Sequence, residues 1–388
     1  MTDPLASLPR LGRLHLTAAD VVTRLWQYGV SGEWPAGRHV RFNGDGSIGG
    51  WVGDPRCTWR LDGGTLALQD DADCRLLTFD EVAIAPDGRL VLRSAGVPGG
   101  DGRGRTLQEM EPLSAIRASD PKLDIITKSS AGSRRYLVVL RANEASLHTQ
   151  WARDIDESDR TWDLFVSFYG QPENFGRDEF AEYQCLQREE RKFGSIYHLF
   201  WAGSPLWNYD WIFLPEDDLM MSWRDLNRMF SMCRRHDLQL GGPTLDGHVN
   251  QPITRPDPDF ELRYVSFIEA IAPIFSNAAL RTCVPTFNGA VTGYGLDHIW
   301  PKLLGERREK IAMFDEIVIT HTRPGNSPTS SYDYEAALTE GWQLQQRYDA
   351  AWHTVEFGGL RRGERDRHGD WASAKQFEVG PPPKLWPC

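Results

Sequence analysis

The six cysteines of this 388-residue chain, at positions 57, 74, 185, 233, 283 and 388, include no CxxC pair. That spacing fits reduced, mostly packed thiols better than a disulfide frame or a zinc site. No apolar run approaches the roughly 18 residues that a membrane span needs; Tyr136–Leu140 and Ile268–Phe275 are among the longest. The opening residues, MTDPLASLPRLGRLHL, lack the apolar core of a secretory signal. The expectation is therefore a cytoplasmic protein with no integral membrane span. Positive charge is in deficit, with 43 Lys and Arg against 54 Asp and Glu and a net charge of −11. Such a surface repels nucleic acid and anionic lipid, so nucleic acid is not an expected partner. A GxxxxGKS/T phosphate loop and a kinase-type glycine loop are also missing. What is present is ordinary globular composition, 40% hydrophobic and 25% charged. At about 150 residues per domain the length allows two or three domains.

Residues 1–112 read as an accessory β domain. After a short helix expected over Ala18–Tyr28, alternating segments between Arg38 and Arg93 meet at Asn43-Gly44, Asp62-Gly63 and Asp87-Gly88. Period-two runs joined by such pairs predict an antiparallel meander or small sandwich. Ser94–Arg105 holds five glycines and a proline, a composition of loops and linkers; residues 113–133 are taken as the linker proper. From 134 to 345 the pattern changes. Tyr136–Leu140, Leu164–Phe168, Trp211–Leu214 and Ile317–Thr320 are dense in β-branched and aromatic residues, as strands buried on both faces are. Helices are expected over Phe180–Phe193, from a Ser222 cap with Asp225 three residues later to His236, and over Leu296–Leu304. The alternation predicts an α/β layer around a mostly parallel sheet. Residues 346–388 are expected to form a helix and a tail.

The strand Trp211–Leu214 runs directly into Glu216-Asp217-Asp218. Ligands collect at the carboxyl ends of strands in open α/β sheets. Three adjacent carboxylates repel one another unless a cation sits among them, and Mg²⁺ or Mn²⁺ takes oxygen ligands while completing its shell with substrate phosphate. A solvated acidic turn is the plain alternative. Two further blocks follow: Thr292-Gly-Tyr-Gly-Leu-Asp-His-Ile-Trp300 and Ile317-Val-Ile-Thr-His-Thr-Arg-Pro324.

Taken in order, strand, acidic triplet, glycine-rich acidic loop and late strand ending in His321 resemble the metal-dependent glycosyltransferases of the GT-A fold. More narrowly, Phe267-Ile-Glu-Ala-Ile-Ala-Pro-Ile-Phe-Ser276 followed by Gly-Tyr-Gly-Leu-Asp297 is similar to a plant and bacterial family of unknown function grouped with glycosyltransferases. The likeness covers about residues 133–326. It departs at Glu216, which stands where the family's first acidic residue is Asp and so lengthens the reach.

The resemblance implies a nucleotide-sugar donor, a carbohydrate or other hydroxyl-bearing acceptor, and Mn²⁺ or Mg²⁺ held by Asp218, Glu216 and His321. A cation there would neutralise the departing diphosphate as a Lewis acid. Asp297, in a loop whose glycines allow close backbone approach, is the candidate general base, which makes the transfer inverting; its other reading is a helix cap. Glu269, a carboxylate in an apolar run, either pairs with Arg263 or Arg281 or binds acceptor hydroxyls. Arg141 and Asn143 at the end of the first strand, with Glu216 and Asp217, are candidates for nucleotide contacts, and Lys192 for the phosphates. The 15 tryptophans offer faces for sugar rings at Trp207, Trp223 and Trp300, although most indoles belong in a core. Two competing classes stay open: a nucleotidyl or phosphoryl transferase using a similar acidic pair, and a non-catalytic carbohydrate- or protein-binding protein, for which Trp34, Trp51 and Trp59 supply a surface.

Overall fold

The computed structural model describes residues 16–30, 38–49, 57–70, 72, 74–95, 103–110, 116–188, 191–249, 251–324, 334–350, 353–363 and 375–378. Trp34, Trp51, residues 189 and 190 of the charged run Arg188-Glu-Glu-Arg-Lys192, and the end of the expected tail lie outside the described residues. The chain divides into two compact units. One is Met1–Pro112 with Lys302–Glu306; the other is Leu113–Pro301 with Arg307–Cys388.

In the first unit a short helix α1 (Ala18–Val22) precedes strands β1 (Leu25–Val30), β2 (Arg38–Phe42), β3 (Ile48–Gly49), β4 (Thr58–Asp62) and β5 (Thr65–Gln69). Strands β6 (Arg75–Phe79), β7 (Glu81–Ile84), β8 (Leu90–Ser94) and β9 (Arg105–Glu109) complete it. One antiparallel sheet has the order β3-β2-β1-β9-β8-β7 and a second the order β4-β5-β6. Trp26, Phe42, Leu66, Phe79 and Leu92 fill the core. The helix expected to reach Tyr28 stops early. A capping box at Thr17 and Asp20 starts it, but from Leu25 the chain pairs with β2 on one side and β9 on the other. Two rows of ladder bonds outweigh a weak helical propensity.

The second unit opens with β10 (Ile125–Thr127), β11 (Tyr136–Ala142), α2 (His148–Trp151), β12 (Trp162–Phe168), β13 (Tyr183–Leu186) and α3 (Lys192–Leu199). It continues through β14 (Trp211–Phe213), β15 (Leu219–Met220), α4 (Trp223–Arg235), β16 (Leu240–Gly247), β17 (Phe260–Val265) and β18 (Ile274–Ser276). Helices α5 (Asn277–Cys283) and α6 (Leu296–Leu303), strand β19 (Ile311–His321), helix α7 (Tyr334–Tyr348) and strands β20 (His353–Arg361) and β21 (Lys375–Glu378) follow. All but one of the strands line up as β10-β13-β12-β11-β14-β18-β16-β19-β17-β20-β21, with β15 pairing β19.

This sheet is mixed, which corrects the expected mostly parallel layer. Parallel pairing links β13, β12, β11 and β14, and again β16 and β19. Antiparallel β18 is inserted between those groups, and β17, β20 and β21 add further antiparallel pairs. Apolar content reports burial on both faces, not strand direction, so direction was not legible in it. The helix expected over Phe180–Phe193 is also absent. Tyr183–Leu186 lies parallel to β12 as β13, with Tyr183 and Cys185 buried, and the helix begins only at Lys192. Beyond residue 346 the chain does more than end a helix, because β20 and β21 extend the sheet.

Helix α4 starts as expected. Ser222 Oγ accepts the Asp225 amide and the Asp225 carboxylate reaches back to the Ser222 amide, at 3.3 and 2.9 Å. Replacing Ser222 with Ala is expected to cost about 1 kcal/mol, lowering Tm by about 2–4 °C in calorimetry. An unchanged Tm would show the cap to be dispensable.

Candidate functional site

The acidic triplet follows β14, whose residues Ile212 and Phe213 are fully buried between β11 and β18. Immediately after it, Leu219 pairs with His321 at the end of β19. That short ladder, together with the Asp218 carbonyl accepting from the Thr322 amide and hydroxyl at 3.2 and 2.7 Å, sets Asp218 beside His321. Asp218 Oδ2 lies 3.3 Å and Glu216 Oε2 3.8 Å from His321 Nε2. Among the described residues, these side chains form a group whose ligand atoms all lie within 4.8 Å of one another.

The histidine is oriented from behind. Its Nδ1 lies 2.6 Å from the His248 carbonyl, which can only accept, so Nδ1 carries the proton and Nε2 faces the carboxylates. Gly247 makes this possible. Its φ is +74°, and a Cβ there would fall 2.5 Å from the His321 carbonyl oxygen. Burial disfavours the charged ring, but the Asp218 carboxylate outweighs it, and the imidazole is pushed up to about 9. Asp218 is buried, and its Oδ1 has no hydrogen-bond partner among the described residues. A buried carboxylate oxygen without a donor is costly in isolation and is what a cation would satisfy. The donors are oxygen and imidazole, with no thiol, a set that a divalent cation can take.

Lys192, the first residue of α3, closes one side. Its Nζ donates to the Ala270 and Ile271 carbonyls at 2.6 and 3.2 Å and sits 4.0 Å from Glu216 Oε1. Burial lowers it to about 8 against the pull of Glu216, Asp218, Asp217 and Glu269. Glu216 is raised, first by loss of water and then, against Lys192 and His321, by its acidic neighbours.

Asp297 stands in the first turn of α6. Burial pushes it up to about 7, while backbone amides including that of His298, at 3.1 Å, pull it down. Its loop is held tightly: Gly295, at φ +86°, approaches Gly341 of α7 so closely that a Cβ would meet backbone at 2.7 Å. Glu340 accepts from the Thr292 amide and hydroxyl at 3.0 and 2.9 Å. Glu269, on the loop between β17 and β18, is close enough for Asp297 and Glu216 to raise it electrostatically; burial is the larger cause, and together they push it up to about 8.

Two sequence expectations are corrected here. Neither arginine proposed as a partner of Glu269 plays that part. Arg263 is buried against Asp315 at 2.9 Å and Glu356 at 2.9 Å, and Arg281 bonds Asn277 and covers the Trp207 ring. Trp300 and Trp207 are core residues, Trp300 fully buried among Phe193, Phe275 and Phe287.

Asp217 faces away from the triad. Its Oδ2 accepts from Ser146 Oγ at 2.6 Å and Tyr169 hydroxyl at 3.1 Å, and Arg323 Nη1 lies 3.5 Å from its Oδ1. It clamps the loop after β11, where the Asn143 side chain accepts from the Ala145 amide at 2.9 Å. The Arg141 guanidinium stacks 5.0 Å over the Tyr169 ring. The fold thus gathers Glu216, Asp218, His321, Lys192, Glu269 and Asp297, and sets Arg141, Asn143 and Asp217 around a neighbouring loop. Arg323 and Tyr169 were missed; the position of Arg323 two residues after His321 was the available signal for the first.

No family model matches the sequence, and no curated protein matches it. Among solved structures, Staphylococcus aureus TarS 1–349 in complex with UDP-GlcNAc aligns with 55% of this chain and 70% of its own, at 11% identity and a TM-score of 0.35. The same protein in complex with UDP aligns with 55% and 69%, again at 11% identity and 0.35. A psychrophilic marine protease MP inhibitor aligns with 24% of this chain and 100% of its own, at 18% identity and 0.19. At such scores these likenesses carry no functional argument. No helix among the described residues is long and apolar enough to cross a membrane.

Proposed function

We propose that this protein is a divalent-metal-dependent glycosyltransferase that moves a sugar from a nucleotide-sugar donor to a hydroxyl of a carbohydrate or similar acceptor. The observation that carries the reading is the Glu216, Asp218 and His321 cluster, with its donor atoms within 4.8 Å and one orphaned carboxylate oxygen; Asp297 joins it through Ala270, whose amide bonds the Asp297 carboxylate and whose carbonyl accepts from Lys192 Nζ. Mn²⁺ or Mg²⁺ held there would neutralise charge on the diphosphate as it departs.

The chain's own residues do the rest. Asp218 and His321 are prearranged by the β15–β19 pairing and the His248 carbonyl, so little reorganisation accompanies loading. Lys192 adds a positive charge at neutral pH next to Glu216, suited to a phosphate oxygen. Arg141, Asn143 and the Asp217 clamp shape the loop at the end of β11, where nucleotides bind in sheets of this kind. Asp297 takes the acceptor hydroxyl's proton as that oxygen bonds to the anomeric carbon. The bond from the anomeric carbon to the diphosphate oxygen breaks with its electron pair leaving on the diphosphate, and the anomer inverts.

Thermal-shift screening of nucleoside diphosphates and their sugars, with and without Mn²⁺, tests the reading. Binding to the native state alone raises Tm, by an amount equivalent to about 2.7 kcal/mol when ligand exceeds Kd a hundredfold. The expected result is a rise that needs nucleotide and metal together. No shift with any sugar nucleotide in Mn²⁺ or Mg²⁺ would refute it.

A further inference from the structure

The least explained buried charge in the site is Glu269. Only 8% of this residue is exposed, and its Oε2 has no hydrogen-bond partner among the described residues. The arginines that sequence proximity offered are engaged elsewhere. The groups that act on it are Asp297 from α6, Glu216 after β14, His321 from β19, Lys192 from α3 and the Thr254 hydroxyl. The loop that carries it touches both parts of the site: the Ala270 amide bonds the Asp297 carboxylate, while the Ala270 carbonyl accepts from Lys192 Nζ at 2.6 Å and the Ile271 carbonyl from the Glu216 amide at 2.9 Å. In a transfer reaction that places the diphosphate at Glu216, Asp218 and His321 and the attacking hydroxyl at Asp297, the sugar ring in flight is the part of the substrate that lies between them.

We infer that Glu269 is a sugar-binding residue whose free Oε2 exchanges a hydrogen bond with a ring hydroxyl of the transferred sugar. The inference rests on the proposed transferase reading and adds a recognition role that the metal and the base do not cover. A carboxyl oxygen accepts from a sugar hydroxyl, and an amide of the same shape keeps an accepting oxygen. Leaving Oε2 unpaired in the free protein costs stability, which a site retained for binding tolerates.

The test compares wild type, Glu269→Gln and Glu269→Met by titration calorimetry in Mn²⁺, using UDP against UDP-glucose and GDP against GDP-mannose, together with Tm of each free protein. If Glu269 binds the sugar, Glu269→Met weakens the sugar nucleotide by about tenfold while leaving the matching diphosphate unchanged, and Glu269→Gln stays within about threefold of wild type. Free Glu269→Met is then about as stable as wild type, since the orphaned Oε2 is removed together with the Thr254 contact. Equal weakening of diphosphate and sugar nucleotide, no weakening of either, or a large drop in Tm for Glu269→Met with Glu269→Gln equally damaged, would each overturn the assignment. Failure of the wild type to bind any of the four compounds is a different result: it removes the transferase reading on which the inference stands.

Discussion

Asp218→Asn is expected to lose about a thousandfold in metal-dependent release of nucleoside diphosphate, ~4 kcal/mol of transition-state stabilisation. The asparagine keeps the shape and one oxygen but removes the charge that faces His321 Nε2 at 3.3 Å. Folding should be spared. The bonds tying this segment down run through the Asp218 carbonyl to Thr322 and through the Leu219–His321 pairing, and none of them uses the carboxylate. The variant is therefore expected to keep its far-UV spectrum while failing to bind Mn²⁺ in calorimetry at concentrations that saturate the wild type. Full activity with an ordinary metal dependence would dismiss the cluster as a metal site.

The second large effect is expected at Asp297. Asp297→Asn should lower kcat by about a hundred- to ten-thousandfold, the range for removal of a general base, with little change in sugar-nucleotide affinity because a base in this reaction would act on the acceptor. The pH profile gives an independent reading. Burial has raised the carboxyl to about 7, and a base works only when ionised. For the wild type, kcat/KM should thus fall by about tenfold per pH unit below that value, whereas the asparagine variant's residual rate should lack this limb. A variant that keeps wild-type kcat, or a wild-type profile with no acid limb near neutrality, would leave Asp297 as a helix-start residue only.

How far the sequence already disclosed this depends on the interaction concerned. The hairpins of the first unit were legible because Asn-Gly and Asp-Gly turns between alternating segments act over a few residues, and β4–β5 and β7–β8 pair across Asp62-Gly63 and Asp87-Gly88. The α4 cap was legible for the same reason. The stretch after Phe180 was not. Its charges spaced for a helix concealed Tyr183 and Cys185, whose burial against β12 decides for a strand. The candidate site divides in the same way. The carboxylates and His321 stood out as residue types at the ends of apolar strands, whereas the tryptophans looked like sugar platforms until Trp300 proved to be surrounded by phenylalanines.

By itself, then, the sequence determined the local chemistry: an antiparallel first unit, apolar strands ending in acid, a glycine-bearing loop before Asp297, and a histidine late in the chain. Only the tertiary structure decided that Glu216, Asp218 and His321 meet, that Asp217 turns to Ser146, Tyr169 and Arg323, and that Glu269 stands without an arginine. The physical reason is range. Turn preferences and caps are set by neighbours in the chain, while the pairing of β15 with β19 joins residues about a hundred positions apart through backbone bonds that any side chains allow.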